Sequence, residues 1–182
     1  MKKYILIFIL FFGVSYAQKV VSVYNLSSKA IRLNMIVTKP PTGTYPWCAS
    51  VSPTQITLAP YSGQFILKNT SSTTKFPFLS TVSPVITNWR KVVFVPPGPN
   101  GSFTNLTSAL LYADAITPNQ NFNYLTFSIY NTANTINLNA GGTIGVSTPS
   151  TIVYSSQAIS VDYGGFQNTP TEFEHSLIFT DL

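Results

Sequence analysis

Five carboxylates, one histidine and one cysteine are the groups of this 182-residue chain best suited to acid–base, nucleophilic or metal chemistry. The carboxylates are Asp114, Asp162, Glu172, Glu174 and Asp181, the histidine is His175 and the cysteine is Cys48. Glycoside hydrolysis needs two carboxyl groups across the scissile bond, about 5–5.5 Å apart for retention or about 6.5–9.5 Å for inversion. Small secreted jelly-roll glycanases share this chain's size and its richness in Ser, Thr, Asn and Tyr, so the comparison is a fair one. On a strand, Glu172 and Glu174 share a face at about 6–7 Å. Neighbours on one strand, however, approach a substrate from the same side, whereas the mechanism needs opposite sides. They read as solvated carboxylates of a terminal strand.

His175 points away from both glutamates if that strand is regular. A metal site would need at least two further good ligands beside it, and a serine triad would need it as the base. The sequence has no Cys/His cluster, calcium loop, phosphate-cradling glycine loop or Gly-x-Ser-x-Gly elbow. Nothing ties Cys48 to His175 as a catalytic pair. The expectation is therefore no catalytic residue, no metal, no cofactor and no enzymatic activity.

Aromatic rings are the richer resource. Tyr45, Trp47, Tyr61 and Trp89 fall in or beside predicted loops and strand ends, as do Tyr112, Tyr163 and Phe166. Exposed Trp and Tyr rings bury large areas at small entropic cost and stack on sugar faces or anchor protein contacts. The same rings can also plug the open ends of a sandwich. Tyr45-Pro46-Trp47 is the strongest candidate contact, because the proline stiffens it and its neighbours are polar.

Composition sets the surroundings for such a contact. Charged residues make up 8% of the chain, against roughly 25% in an average globular protein, so Ser, Thr and Asn carry the surface. The basic residues are scattered, with only Arg90 and Lys91 adjacent beyond residue 3. Nucleic-acid binding would require a basic stripe, and none is present. Lys2-Lys3, the apolar run through residues 4–12, and the small residues Ser15 and Ala17 form a signal-peptide pattern. Cleavage is expected before Gln18, which leaves eight basic against five acidic residues, a net +3. No later apolar run reaches membrane length. The protein is thus expected to be secreted or extracytoplasmic, in the cell envelope or outside the cell, with no permanent membrane span. Cys48 cannot form an internal disulfide as the chain's one cysteine, and reads as a buried thiol or as half of an intermolecular bridge.

The elements that must position these groups are strands. Leu125, Phe127 and Ile129 alternate with Thr126, Ser128 and Tyr130, the period of a half-buried strand. Ile136, Leu138 and Ala140 repeat it, Gly141-Gly142 reads as a hairpin turn, and Ile144 and Val146 continue on the far side. Along 30–38, Ile31, Leu33, Met35 and Val37 should face inward. Further strands are expected at 20–26, 55–58, 63–68, 76–82, 84–89, 91–95, 151–154, 158–163 and 173–180. Residues 44–52 read as irregular, and 104–116 is the one helical candidate, with Leu106, Ala109, Leu110 and Ala113 on one stripe. The expected core comprises Leu33, Met35, Phe65, Phe94, Leu125, Phe127, Ile129, Leu138, Ile144 and Val161.

Ten to twelve short strands and at most one helix predict one all-β domain over 18–182. Its architecture should be a mainly antiparallel two-sheet sandwich, jelly-roll or immunoglobulin-like. The functional expectation is a structural, adhesive or surface-interaction protein, with edge strands available to a protein partner or a second copy. A carbohydrate-binding domain for polysaccharide, using exposed rings, is the alternative, and a small glycanase the third reading. Sequon-like triplets begin at Asn25, Asn69 and Asn105.

Overall fold

The computed structural model describes residues 18–43, 45–51, 56–68, 76–78, 86–94, 102–113, 120–169 and 172–182. Among them run β1 (Gln18–Asn25), β2 (Ala30–Lys39), β3 (Trp47–Ser50), β4 (Ile56–Leu58), β5 (Gly63–Lys68), β6 (Asn88–Phe94) and β7 (Ser102–Thr107). A short helix, α1 (Ser108–Ala113), precedes β8 (Asn121–Tyr130), β9 (Asn137–Gly145), β10 (Thr151–Tyr154), β11 (Ile159–Thr169) and β12 (Glu172–Asp181). Two sheets result. One has five strands in the order β10-β11-β12-β1-β5, and the other runs β7-β6-β3-β2-β8-β9 with β4 also paired to β2. All pairings are antiparallel except β1 with β12, which lie parallel. The all-β, mainly antiparallel sandwich with one short helix is the architecture expected from the strand pattern. None of the described helices is long and apolar enough to cross a membrane.

Alternating side chains from both sheets meet in the core. Val21, Val23, Phe65, Leu67, Val161, Leu177 and Phe179 are fully buried from the five-stranded side. Ile31, Leu33, Ile36, Leu125, Phe127, Ile129 and Ile144 are buried from the other. Phe127 joins the layers, with its ring edge-on to Phe179 at 4.9 Å between centroids, a favoured aromatic geometry. Leu138 packs against this core only partly buried, and the side chain of Phe94 lies outside the described residues.

Several local expectations are corrected. Gly141-Gly142 is not a turn: β9 runs straight through it, opposite Phe127 and Ser128. Glycine is required there because a β-carbon on Gly141 would overlap the carbonyl oxygen of Phe127. The reversal falls earlier, at 131–136, where the Asn131 side-chain oxygen accepts hydrogen bonds from the amides of Thr135 (2.8 Å) and Ile136 (3.0 Å). Ile136 is consequently exposed.

Met35 is also displaced from the core. Leu33 pairs with Phe127 but Met35 with Thr126, so Asn34 is an extra residue, a β-bulge. The bulge reverses the alternation, which sends Ile36 inward beside Leu125 and leaves Met35 half-buried on the outer side. The helical stripe at 104–116 likewise begins as strand β7 and becomes helical only at Ser108; Leu110 is exposed, and Leu111 is the residue that reaches the core. Residues 47–50 form β3 rather than irregular chain. Phe76–Phe78 is a turn, not a strand, and the rest of 76–82 lies outside the described residues.

The connection from β1 to β2 crosses between sheets, and Asn25 fastens it. Its amide nitrogen donates to the carbonyls of Lys29 (2.7 Å), Leu58 (3.1 Å) and Ala59 (2.9 Å). Its oxygen accepts from the amide (3.1 Å) and hydroxyl (2.7 Å) of Ser27. Asn25 is fully buried, so a glycan at this triplet is incompatible with the fold. Asn105 is exposed on β7, and Asn69 lies outside the described residues.

Candidate functional site

A break in strand pairing lies along one edge of β2 among the described residues. β4 covers Ile31, Arg32 and Leu33 on that edge, and β3 covers Val37 and Thr38. Between them, at 34–36, the edge has no strand partner among the described residues; instead the amide of Ile36 donates to the Ser50 hydroxyl at 2.8 Å. The bulge at Asn34 sits in this gap. A groove of about 250 Å³ opens there, lined by Asn34, Met35, Trp47, Ala49, Ser50, Val51 and Arg90.

Strand alternation decides which side chains reach the groove. On β3, Cys48 is fully buried while Trp47 remains half-buried; alternation sets Trp47 and Ala49 on the face opposite Cys48, where Ala49 is itself covered. Ala49 pairs with Arg90, which is exposed on the same face. Asn34 is exposed too, and its amide donates to the Ser128 hydroxyl at 2.8 Å. A large ring, a guanidinium and a carboxamide thus line one depression. Such a lining can stack on a ring and offer hydrogen-bond donors to polar groups.

The four aromatic candidates separate. Trp47 lies in the groove, and Tyr45, close by in sequence, is exposed at 36%. Trp89 is corrected outright: it is fully buried, edge-on to Phe78 at 5.2 Å, and its indole nitrogen donates to the Ser108 hydroxyl at 2.9 Å. It alternates with Arg90 on β6 and so must face inward, where it closes the core beneath α1. Tyr61 is exposed, but its amide is held by the Ser27 carbonyl, at the Ala30 end of β2. Trp47 sits near the opposite end of that strand, beside Cys48, whose partner is Thr38. Eight residues of strand separate the ends, about 26 Å, so Tyr61 and Trp47 cannot form one row.

His175 lies elsewhere, in the interior of the five-stranded sheet's inner row. It is 7% exposed, packed against Phe122 and Phe173 with ring centroids 5.1 and 4.9 Å away. Its Nδ1 shares a hydrogen bond with the Tyr163 hydroxyl at 2.9 Å. Burial, and then the positive charge of Lys19, push His175 down from 6.5 to about 4. Burial also lowers Lys19, whose ammonium donates to the Gln120 carbonyl at 2.8 Å. Burial raises the Tyr163 phenol. At neutral pH the imidazole is uncharged, one polar member of an aromatic plug.

Asp162 and Glu174 do not converge, while Asp114 and the side chain of Glu172 lie outside the described residues. Asp162 lies opposite Ile178, four residues along β12 from Glu174, which separates the two by about 13 Å. That exceeds either glycosidase spacing. Asp162 accepts from the Thr151 hydroxyl at 2.6 Å. Asp181 accepts from the Ser28 amide and hydroxyl, both at 2.9 Å, and the amide is the main cause of its lowered pKa. No three His, Cys, Asp or Glu side chains gather into a metal-binding group among the described residues.

Charge is nonetheless partitioned between the sheets, a feature the scattered sequence pattern concealed. The strands of the seven-stranded sheet carry Arg32, Lys39, Arg90 and Lys91 and no acidic residue. Those of the five-stranded sheet carry Asp162, Glu172, Glu174 and Asp181 against Lys19 and Lys68. The available signal was positional: no Asp or Glu precedes residue 114. No protein-family model, curated protein or solved structure matches this chain.

Proposed function

We propose that this protein is an exported, non-enzymatic surface-interaction module, an adhesive β-sandwich that contacts its target through the groove around Trp47. The observation that carries the reading is the groove itself. A half-buried tryptophan, an exposed guanidinium and an exposed carboxamide share one depression on a rigid sheet. Groups held on paired strands lose little further freedom on binding, which favours recognition by a preformed surface. A saccharide chain suits it, since an indole ring takes a sugar face while Asn34 and Arg90 meet hydroxyl groups.

Export supports the same role. The signal-peptide pattern of residues 1–17 sets the expected cleavage before Gln18. Mass spectrometry of the mature chain should place its first residue at Gln18; a protein retaining Met1 in the cytosol would end the proposal. The contact is tested with a polysaccharide panel, where binding by the native chain should disappear in Trp47→Ala while the β-sheet circular-dichroism spectrum persists. Binding that survives the substitution would move the contact away from the groove.

Self-association through an edge strand is the second reading, favoured by Val153, 54% exposed on the outermost strand β10. Light scattering should then show an oligomer that Val153→Lys dissolves. A strict monomer would remove this reading and leave the first.

A further inference from the structure

Trp47 is anchored by a chain of hydrogen bonds that leaves the groove and crosses the sandwich. Immediately before it, the Pro46 carbonyl accepts from the Gln120 carboxamide at 3.2 Å. The Thr38 hydroxyl stands within donating distance of the Gln120 side-chain oxygen (3.2 Å) and of the Cys48 carbonyl (3.4 Å). The Gln120 backbone carbonyl in turn accepts from the Lys19 ammonium at 2.8 Å. Gln120 is fully buried. It therefore ties β1 of one sheet to β2 and the start of β3 in the other.

His175 stands at the far end of this chain. Lys19 pairs with Phe173 in the parallel β1–β12 ladder, and His175 follows two residues later on the same inner face. Phe173 of β12, Phe122 of β8 and Tyr163 of β11 pack on the imidazole, while Val21 of β1 and Gly165 of β11 are its backbone partners. Among the described residues, the titratable or charged groups facing it are thus Lys19 and Tyr163, and Glu174 alternates onto the opposite face. A proton on His175 makes both ring nitrogens donors and sets a second cation beside the ammonium that holds Gln120. Phe122 pairs with Thr38, so the whole chain of contacts lies at one end of the sandwich.

Resting on the reading of the groove as the contact surface, we propose that His175 is an acid-operated latch on the Trp47 site. Protonated His175 drives Lys19 from the Gln120 carbonyl, Gln120 loses its hold on Pro46, and the start of β3 loosens with Trp47. The groove is set for its target at neutral pH and releases it in acid. A closed state that holds the ring at about 4, against 6.5 ordinarily, is disfavoured about thirtyfold more at pH 5 than at neutral pH.

Cys48 reports the opening without any ligand, since it is the chain's one cysteine and is fully buried beside Trp47. Its labelling by dithiodipyridine is followed on the reduced mature chain at pH 7.5 and pH 5. Each rate is divided by that of the urea-unfolded chain at the same pH, which removes the titration of the thiol itself. The native ratio should rise about thirtyfold at pH 5, and His175→Phe should show no rise. Lys19→Met removes the tie and should label faster than the native chain at pH 7.5, with a smaller response to acid. Low urea should leave these rates unchanged, the mark of a local opening. A polysaccharide bound through Trp47 should bind more weakly to the native chain at pH 5, and equally at both pH values to His175→Phe.

A flat native ratio, or an equal rise in His175→Phe, would overturn the latch. Rates that climb with urea as global unfolding does would overturn it in favour of a general loss of stability. Native-like labelling of Lys19→Met at pH 7.5 would overturn the route through Gln120. Unchanged polysaccharide binding at pH 5, despite faster labelling, would overturn control of the groove. No polysaccharide bound at either pH, with labelling as expected, would remove the saccharide reading and leave the latch standing.

Discussion

Acidifying this protein should destabilise it through one residue. His175 holds its pKa at about 4 in the fold, against 6.5 for an ordinary histidine. Between those values the unfolded chain binds a proton that the folded chain refuses, so stability falls as pH falls. The contribution is complete above about pH 7.5, begins to fade through pH 6.5 and is lost by pH 4. At pH 5 the linkage relation gives a loss of about 2 kcal/mol, and at its limit about 3 kcal/mol. The physical cause is burial, with the positive charge of Lys19 next. Phe122 and Phe173 surround the ring, Tyr163 supplies a neutral hydrogen bond, and the nearby Lys19 opposes a second positive charge.

Asp181 acts in the same direction but at lower pH, since its lowered pKa favours the fold above the ordinary value of 3.8. That effect is lost only at still lower pH, and the range from 7.5 to 5 therefore isolates His175. Urea unfolding followed by tryptophan fluorescence measures it directly, because buried Trp89 will shift its emission on exposure. Native protein should lose about 2 kcal/mol from pH 7.5 to 5, and His175→Phe should be flat over the same range. Equal slopes for the two proteins, or no slope in the native protein, would refute the reasoning.

Phe127→Ala should cost about 3–5 kcal/mol in the same assay, because it removes a buried ring that touches Phe179 across the layers; a loss below about 1 kcal/mol would mean the sheets do not meet there. Asn25→Ala leaves the carbonyls of Lys29, Leu58 and Ala59 without this donor and should cost about 2–3 kcal/mol, whereas Asn105→Ala on the exposed face should cost little. Gly141→Val should lower the thermal midpoint markedly, since its side chain meets the Phe127 carbonyl; a neutral result would place the reversal of β8 and β9 back at the glycine pair.

Much of the sandwich was legible because burial on one face of a strand imposes a period of two on the chain. Leu125, Phe127 and Ile129 announce their face, and Leu177 and Phe179 announce theirs, without reference to any partner. The expectation at Gly63–Lys68 matches β5 end to end, and that at Thr151–Tyr154 matches β10. His175 also falls on the face opposite Glu174, as alternation requires. Composition pointed to a fold stabilised by packing, since a single cysteine permits no internal disulfide.

What alternation could not convey was every feature that depends on a second strand. The bulge at Asn34 exists only as a mismatch between β2 and β8, and it reverses the side chains that follow. Gly141-Gly142 has the composition of a turn, but the close carbonyl of Phe127 keeps it in a strand. Trp89 and Trp47 belong to the same residue type, and their opposite fates follow from which face of β6 or β3 each occupies. The groove lies where β3 and β4 leave part of the β2 edge unpaired among the described residues, and the basic sheet assembles Arg32 and Lys39 of β2 with Arg90 and Lys91 of β6. A local pattern reports which residues need burial; the pairing of distant strands decides which surfaces remain open and what charge they carry.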